Sequence, residues 1–304
     1  MRHSKRAVGI AKTIVVAAFV VGLLPNAGFG QDQGQAPYFP PERLEQLVSR
    51  IALYPDPLLA QVLAAATYPN DIPDAARWAD EHHYLRGGQL ANAIQGDQLP
   101  WDPSVQSLLP FPSVLEMMAS DMNWTTDLGN AFLAQRQDVM DAVQRDRQKA
   151  RDYGYLRSNT QMIVSGGPYI AITPVNPAFV CVPVYDPRVV YFAPRPEFFI
   201  GGAIGFGYGV TIGTWFRPWG WGYNRFDWRE HGVFINNRPW GREWVNRAAY
   251  VHPYVSVQRW EGPRHEERHE LIARSEHERQ QAREGHERGE EREHGRGDDR
   301  HRPH

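Results

Sequence analysis

The alternation of proline-containing turns with short apolar segments over residues 41–157 is the feature that most constrains the fold. Proline has no backbone N–H, so it is tolerated in the first turn of a helix and interrupts a helix elsewhere. Asp56-Pro57 and Asp102-Pro103 each combine such a proline with a carboxylate that can cap a helix. The pattern predicts a domain of several short helices, one of them stopped by Gly87-Gly88, and a longer helix over residues 125–152.

A small antiparallel β unit is predicted over residues 158–195. Gly166-Gly167 supplies the positive φ that a tight turn needs, so the flanking β-prone residues 161–173 are expected to form a hairpin. A third strand is predicted at residues 179–185, and residues 189–192 are expected to continue the sheet. The fold class is therefore α+β, with an N-terminal multi-helix domain.

Several long motifs occur in order along the helical part. They are Ile51-Ala-Leu-Tyr-Pro-Asp-Pro-Leu-Leu-Ala-Gln-Val-Leu63, Ala66-Thr-Tyr-Pro69, Ala76-Arg-Trp78, Trp101-Asp-Pro-Ser-Val105 and Asp127-Leu-Gly-Asn-Ala-Phe-Leu-Ala-Gln135 with Asp138-Val-Met140. In these motifs the chain resembles, over about residues 42–192, an uncharacterised family of exported bacterial proteins, domain of unknown function 3300. The resemblance implies an envelope location and the fold of that family. It implies no activity and no catalytic residue.

Residues 1–30 have the layout of a secretory signal peptide, and residues 31–40 form a linker. Four basic residues precede an uncharged, largely apolar stretch, and small residues at positions 28 and 30 suit cleavage before Gln31. The apolar stretch is shorter than the ~20 residues of a membrane span, which favours cleavage over an uncleaved anchor. The sequence thus predicts export to the periplasm or cell envelope. Cleavage takes the formal net charge from −2 to −6, so no nucleic acid partner is expected.

Residues 198–216 carry no charge, and their pattern fits two structures. Gly201, Gly205, Gly209 and Gly213 recur every four residues, which on a helix makes one smooth stripe for close packing. Such a helix would be ~28 Å long, close to the thickness of a bilayer's hydrocarbon core. Because period four is a multiple of period two, the same glycines fit a strand that lies on the protein. This glycine-rich hydrophobic segment is therefore a possible transmembrane segment or a strand.

Most of the ten tryptophans lie between residues 215 and 260, mainly in a Trp-, Gly- and Arg-rich region at residues 217–260. Beside a membrane helix, Trp215, Trp219 and Trp221 would form an interfacial aromatic belt. Residues 219–237 are also predicted to form a short β-meander, whose exposed aromatic rings could grip a glycan or a lipid surface. These three tryptophans and the four glycines above are the candidate interaction residues.

Residues 261–304 are rich in Glu, Arg, His and Gly, which predicts a disordered, charged, His-rich tail. His265-Glu-Glu-Arg-His269 matches the zinc-protease pattern, but its charged surroundings indicate a chance match. Loose metal binding by the tail histidines would make the protein a metal buffer. No resident cofactor or metal is expected.

Few groups elsewhere suggest chemistry. Cys181 is the only cysteine, which excludes an intrachain disulfide, and it is predicted to be a buried small hydrophobe. Glu81, His82 and His83 are predicted to form a solvated helix end rather than a metal site. An enzyme acting on cell-wall material is one alternative function. Its candidate carboxylates are Asp56, Asp102, Asp127 and Asp186.

Together these features predict an exported, non-enzymatic envelope protein with a structural or interaction role. It would attach to a membrane or self-associate through the glycine-rich segment. Its expected partners are a membrane, an envelope protein or a second copy of the chain.

Overall fold

The computed structural model describes residues 34–194 and 202–253. The predicted signal peptide, the His-rich tail with its His265–His269 motif, and Gly201 lie outside the described residues. Within those residues, nine α-helices combine with small antiparallel sheets, which confirms the α+β class.

Eight helices form the first part of the fold. They are α1 Pro41–Val48, α2 Asp56–Ala66, α3 Ile72–Glu81, α4 Gly87–Gly96, α5 Pro103–Gln106, α6 Pro112–Ser120, α7 Met122–Ala134 and α8 Arg136–Asp152. A proline occupies one of the first two helical positions in α1, α2, α3, α5 and α6, as the sequence predicts. Gly87-Gly88 does not stop a helix, because α3 ends at Glu81 and Gly87 begins α4.

The prediction of one long helix over residues 125–152 is wrong, because α7 and α8 are separate helices. They meet at Gln135, whose backbone is not helical, at φ −138° and ψ 48°. The Gln135 side chain accepts a hydrogen bond from the backbone N of Phe39 at 2.6 Å and donates one to its carbonyl at 3.2 Å. This contact with a residue far away in the sequence stabilises the break.

Helix α2 lies at the centre of the helical part, and nearly all of its residues are buried. It crosses α7 so closely that a β-carbon at Gly129 would lie 2.0 Å from the carbonyl oxygen of Ala66. Only glycine permits this approach without a shift of one helix. The largely apolar sequence of α2 therefore reflects contact with neighbours on every side.

The predicted hairpin is confirmed. Strand β1, Met162–Gly166, pairs antiparallel with β2, Ile170–Pro174. The third strand is divided into β3, Phe179–Val180, and β4, Pro183–Tyr185. The expected continuation of the sheet over residues 189–192 is wrong, since Pro187–Val190 forms a short helix, α9. Asp186 caps this helix by accepting a hydrogen bond from the backbone N of Arg188 at 2.9 Å.

The glycine-rich segment adopts the strand alternative where the structure describes it, at residues 202–216. Strand β5, Ile204–Phe206, pairs with β4, and β6, Val210–Thr211, pairs with β3. The helical alternative is therefore wrong for this part of the segment. Over the described ranges, no helix has the length and apolar character that a membrane crossing requires. The strand form depends on tertiary structure. Strands β3 and β4 offer backbone hydrogen-bond partners to this segment, which an isolated helix would not use.

The predicted meander is confirmed as a three-stranded sheet. Its strands are β7 Arg225–Asp227, β8 Gly232–Ile235 and β9 Arg238–Pro239, in the order β7-β8-β9. The buried side chains of this region belong to the same hydrophobic core as those of the helices. Trp240, for example, stacks on Phe132 of α7 with 5.0 Å between ring centroids.

A buried ion pair joins α2, α8 and the C-terminal region. Arg147 contacts the Asp56 carboxylate at 2.7 Å, and both side chains are buried. The guanidinium also donates hydrogen bonds to backbone carbonyls at residues 52, 54 and 170. Trp228 completes the pair by donating its indole N–H to Asp56 at 3.2 Å. The sequence suggested that the Asp56 side chain caps α2, and this prediction is wrong. Its oxygens contact Arg147 and Trp228 instead of the first turn of the helix.

A second buried carboxylate lies between α1 and α8. One oxygen of Asp146 is 3.4 Å from the ammonium nitrogen of Lys149, and the other has no hydrogen-bond partner among the described residues. Burial raises the pKa of Asp146 to about 7, although Lys149 acts to lower it and Glu45 acts to raise it.

We expect Asp146 to make the protein less stable as the pH rises from about 4 to about 7. In this window the native state holds a proton that the unfolded chain has released, so stability falls by up to ~1.4 kcal/mol per pH unit. The loss is complete above about pH 7. Urea unfolding between pH 5 and pH 8 measures it, and Asp146→Asn should flatten the dependence. Asp152→Asn, at an exposed position at the end of the same helix, is the control. An unchanged slope in Asp146→Asn would contradict this assignment.

Candidate functional site

Trp215 is a candidate interaction residue that stays at the surface, with 50% of its area exposed. Its ring lies against the backbone of α4 at Gly87 and Gly88. A β-carbon at Gly87 would lie 3.4 Å from the indole ring, and one at Gly88 would lie 3.2 Å from its nitrogen. Gly213 approaches the same ring and has a φ of +51°, a conformation that favours glycine. Three glycines thus let the indole lie flat and partly open to solvent.

A row of aromatic rings follows α3 and ends three residues before Gly87. Trp78 stacks on His82 with 3.9 Å between centroids and 16° between planes. His82 in turn stacks on Tyr84 at 6.4 Å. The row runs from a buried indole to a phenol ring that is 66% exposed. We use the name aromatic platform for two features that are near each other in the chain around α4: the ring row of Trp78, His82 and Tyr84, and the indole of Trp215 on Gly87 and Gly88.

Polar groups hold the rings of the platform in place. Asp97 accepts a hydrogen bond from the indole N–H of Trp78 at 2.9 Å and lies 4.0 Å from a ring nitrogen of His82. The other ring nitrogen of His82 is 2.8 Å from the Trp78 carbonyl. Arg86 donates hydrogen bonds to the carbonyls of His83 and Leu85, which stabilise the turn that carries Tyr84. The platform therefore combines fixed rings with a carboxylate that lies beside Trp78 and His82.

Other candidate interaction residues do not join this platform. Trp219 and Trp221 are buried and donate their indole N–H groups to Gln106 at 2.7 Å and to the Ser107 carbonyl at 2.8 Å. Neither side chain is available to a membrane interface in this conformation. Gly205 lies in β5, and a β-carbon at Gly209 would overlap the ring of Phe179, so these glycines serve the local sheets.

The four candidate carboxylates of the enzyme hypothesis each pair with a different Arg or His side chain. Asp56 pairs with Arg147, Asp127 with Arg43, Asp186 with Arg188, and Asp102 with His252 at 3.2 Å. Burial acts to raise the pKa of Asp102, but hydrogen bonds from His252 and Ser104 outweigh it and lower this pKa. Asp102 also caps α5, as predicted from Asp102-Pro103, by accepting from the backbone N of Ser104 at 2.8 Å.

The remaining candidates from the sequence make contacts within the fold. His82 and His83 face different partners, since His83 contacts the carbonyl of Asp80. Cys181 is buried, as predicted, and burial raises its pKa. Over the ranges that the structure describes, no three His, Cys, Asp or Glu side chains are grouped so that they could hold a metal ion.

Sequence reasoning missed Tyr84 and the role of Gly87-Gly88 in the platform. The glycine pair is visible in the sequence, but its pattern predicts the end of a helix and not a contact with an aromatic ring. Its contact is with Trp215, far along the chain, and no local pattern links the two positions.

Comparison with known proteins places the chain beside uncharacterised relatives. A family model described as "Protein of unknown function (DUF3300)" matches residues 40–281, a longer range than the motifs indicated. The uncharacterized protein YacH of Escherichia coli (strain K12) is 35% identical over an alignment of 223 residues, which covers 58% of this chain and 36% of that protein. This chain therefore spans about a third of the length of that relative. No solved structure matches.

Proposed function

Because the chain belongs to the DUF3300 family, whose function is unknown, we propose a function from the surface it presents. We propose that it is an exported cell-envelope protein that binds glycan chains through the aromatic platform. The observation that carries this proposal is the half-exposed indole of Trp215, which lies on Gly87 and Gly88.

The geometry of Trp215 suits the apolar face of a sugar ring. A half-exposed indole held against the backbone offers an apolar surface, and a ligand that covers it removes that surface from water. Aromatic side chains offer a wide apolar contact at low entropy cost, because few torsions must be ordered. Sugar hydroxyl groups need hydrogen-bond partners at the edge of the contact. The Asp97 carboxylate lies beside the ring row, 4.0 Å from a ring nitrogen of His82.

Export is supported by the layout of residues 1–30, with its basic, apolar and small-residue parts. Fractionation of cells that produce the full chain tests it. We expect the protein in the periplasmic or envelope fraction, shortened by the length of the signal. Recovery of the uncut chain in the cytoplasm would contradict export.

The alternatives rest on less support. The enzyme hypothesis needs two carboxylates that converge in a pocket, whereas the four candidate aspartates pair with four different Arg or His side chains. Membrane attachment through residues 198–216 was proposed for a helix, whereas the described part of this segment contains strands β5 and β6. Self-association and metal buffering by the tail remain predictions from the sequence.

Trp215→Ala is expected to weaken glycan binding by about tenfold to a hundredfold. Apolar surface removed from water contributes roughly 25 cal/mol per Å², so covering about 50–100 Å² of the ring contributes roughly 1.3–2.5 kcal/mol, and ~1.4 kcal/mol corresponds to a factor of ten. Co-sedimentation of the exported protein with purified cell-wall glycan, and titration with soluble oligosaccharides, measure the change. Tyr38→Ala is the matched control, because Tyr38 is also exposed but lies before α1. Equal binding by Trp215→Ala and the unmodified protein would contradict the proposal.

A further inference from the structure

A groove of ≈ 470 Å³ lies at the surface between α1, the start of α7 and the start of α9. Its charged lining consists of three guanidinium groups and two carboxylates, from Arg43, Arg50, Arg188, Asp121 and Asp186. None of these residues belongs to the aromatic platform. The groove is therefore a second candidate site with a different chemistry.

Arg50 and Asp121 form one side of the groove. Arg50 lies in the turn after α1 and pairs at 3.0 Å with Asp121, the residue that caps α7, and both side chains are partly exposed. The guanidinium of Arg50 also lies 5.3 Å from the ring centroid of Trp124, which favours a fixed cation over that ring. Trp124 is itself held by a hydrogen bond from its indole N–H to the Leu47 carbonyl at 2.8 Å. Arg50 is thus held in place with donors left for a ligand, since a guanidinium carries five.

Asp186 and Arg188 supply charges at the other side. They pair at 2.9 Å, and the Asp186 carboxylate also accepts a hydrogen bond from the backbone N of Arg188. Arg188 is the most exposed of the groove arginines, and exposed ion pairs contribute little to stability. A ligand can therefore replace a partner in such a pair without a large loss. An entering carboxylate would bind an arginine, and an entering ammonium group would bind an aspartate.

The groove carries both positive and negative charges, and this mixture favours one class of ligand over another. A polyanion would meet two carboxylates in the same groove, and like charges placed together disfavour binding. A ligand with both signs finds an opposite charge for each of its groups. We propose that the groove binds short peptides that carry both a free amine and a free carboxylate.

Isothermal titration calorimetry on the exported chain tests this inference with three probes. They are the tripeptide Ala-Glu-Lys with free ends, a blocked neutral analogue, acetyl-Ala-Gln-Met-amide, and polyglutamate. We expect the free tripeptide to bind, to bind more weakly as salt is added, and to bind at least tenfold more tightly than either of the others. Tighter binding of polyglutamate, equal binding of the blocked peptide, or no binding of the tripeptide would overturn the inference.

Variants locate the binding in the groove. Arg50→Gln and Asp186→Asn should each weaken tripeptide binding by at least tenfold, because each removes one charged partner. Arg77→Gln is the control, since Arg77 is exposed and forms a similar ion pair with Asp74 on α3, outside the groove. If both groove variants bind as Arg77→Gln does, the inference is wrong. Trp215→Ala should leave tripeptide binding unchanged, so failure of the glycan proposal and failure of this one are separate results.

Discussion

Replacement of Arg147 by alanine is expected to destabilise the protein by about 3–5 kcal/mol, the range for breaking a buried ion pair from one side. The substitution leaves the Asp56 carboxylate buried without its cation. It also removes the donors to the backbone carbonyls at residues 52, 54 and 170. An unpaired buried acceptor loses the water that it binds in the unfolded chain, so each carbonyl adds to the loss.

Urea unfolding at constant pH measures this effect. Arg145→Ala is the matched control, because Arg145 lies on the same helix but is exposed and pairs with Glu45. Arg145→Ala should lower the free energy of unfolding by about 1 kcal/mol or less. A second variant, Asp56→Asn with Arg147→Met, removes both charges and should recover part of the stability. Recovery should be incomplete, because methionine donates no hydrogen bond to the three carbonyls. A loss in Arg147→Ala no larger than in the control would show that the pair is not buried as described.

Replacement of Trp219 by alanine is expected to cost about 3–5 kcal/mol, as for other large aromatic residues in a packed core. Trp219 is among the largest fully buried side chains, and its ring lies 5.9 Å from that of Phe216. The substitution also leaves the Gln106 side-chain oxygen without the hydrogen bond that it accepts from the indole N–H. An interfacial belt would place the same ring outside the protein core, where truncation would leave the folded body nearly unchanged.

Thermal and urea unfolding of the exported chain separate these two possibilities. Trp215→Ala serves as the control, because that ring is half-exposed and should contribute less to stability. A Trp219→Ala variant as stable as the control would restore the belt interpretation. A large loss in Trp219→Ala alone would assign the two tryptophans different roles, one in the core and one at the surface.

Local rules accounted for much of the helical part and the hairpin. Proline at the start of five helices acts through its own backbone torsion, so its effect is visible without a partner. The β1–β2 hairpin also forms where the sequence predicts it, but neither Gly166 nor Gly167 has the positive φ that was expected of its turn. The break at Gln135 has no such signal, because it is stabilised by a contact with Phe39. The start of α4 at Gly87 was missed for the same reason.

The candidate site was only partly visible in the sequence. Trp215 was identified as an interaction residue, but so were Trp219 and Trp221, and composition does not tell a buried indole from an exposed one. The glycine spacing in residues 198–216 fits a helix and a strand equally, and β3 and β4 decided between them by offering backbone partners. No motif in the sequence predicts the groove, because it brings Arg43 and Arg50 together with Arg188, which is far away in the chain.

The sequence by itself determined the class of the fold, the five helix starts marked by proline and the family, because each depends on residues that are close together along the chain. Tertiary structure alone decided which tryptophans are buried, which strands pair and which charges meet, as in Arg147 with Asp56. These outcomes depend on packing and hydrogen bonding between distant segments, whose free energies exist only once the segments are in contact.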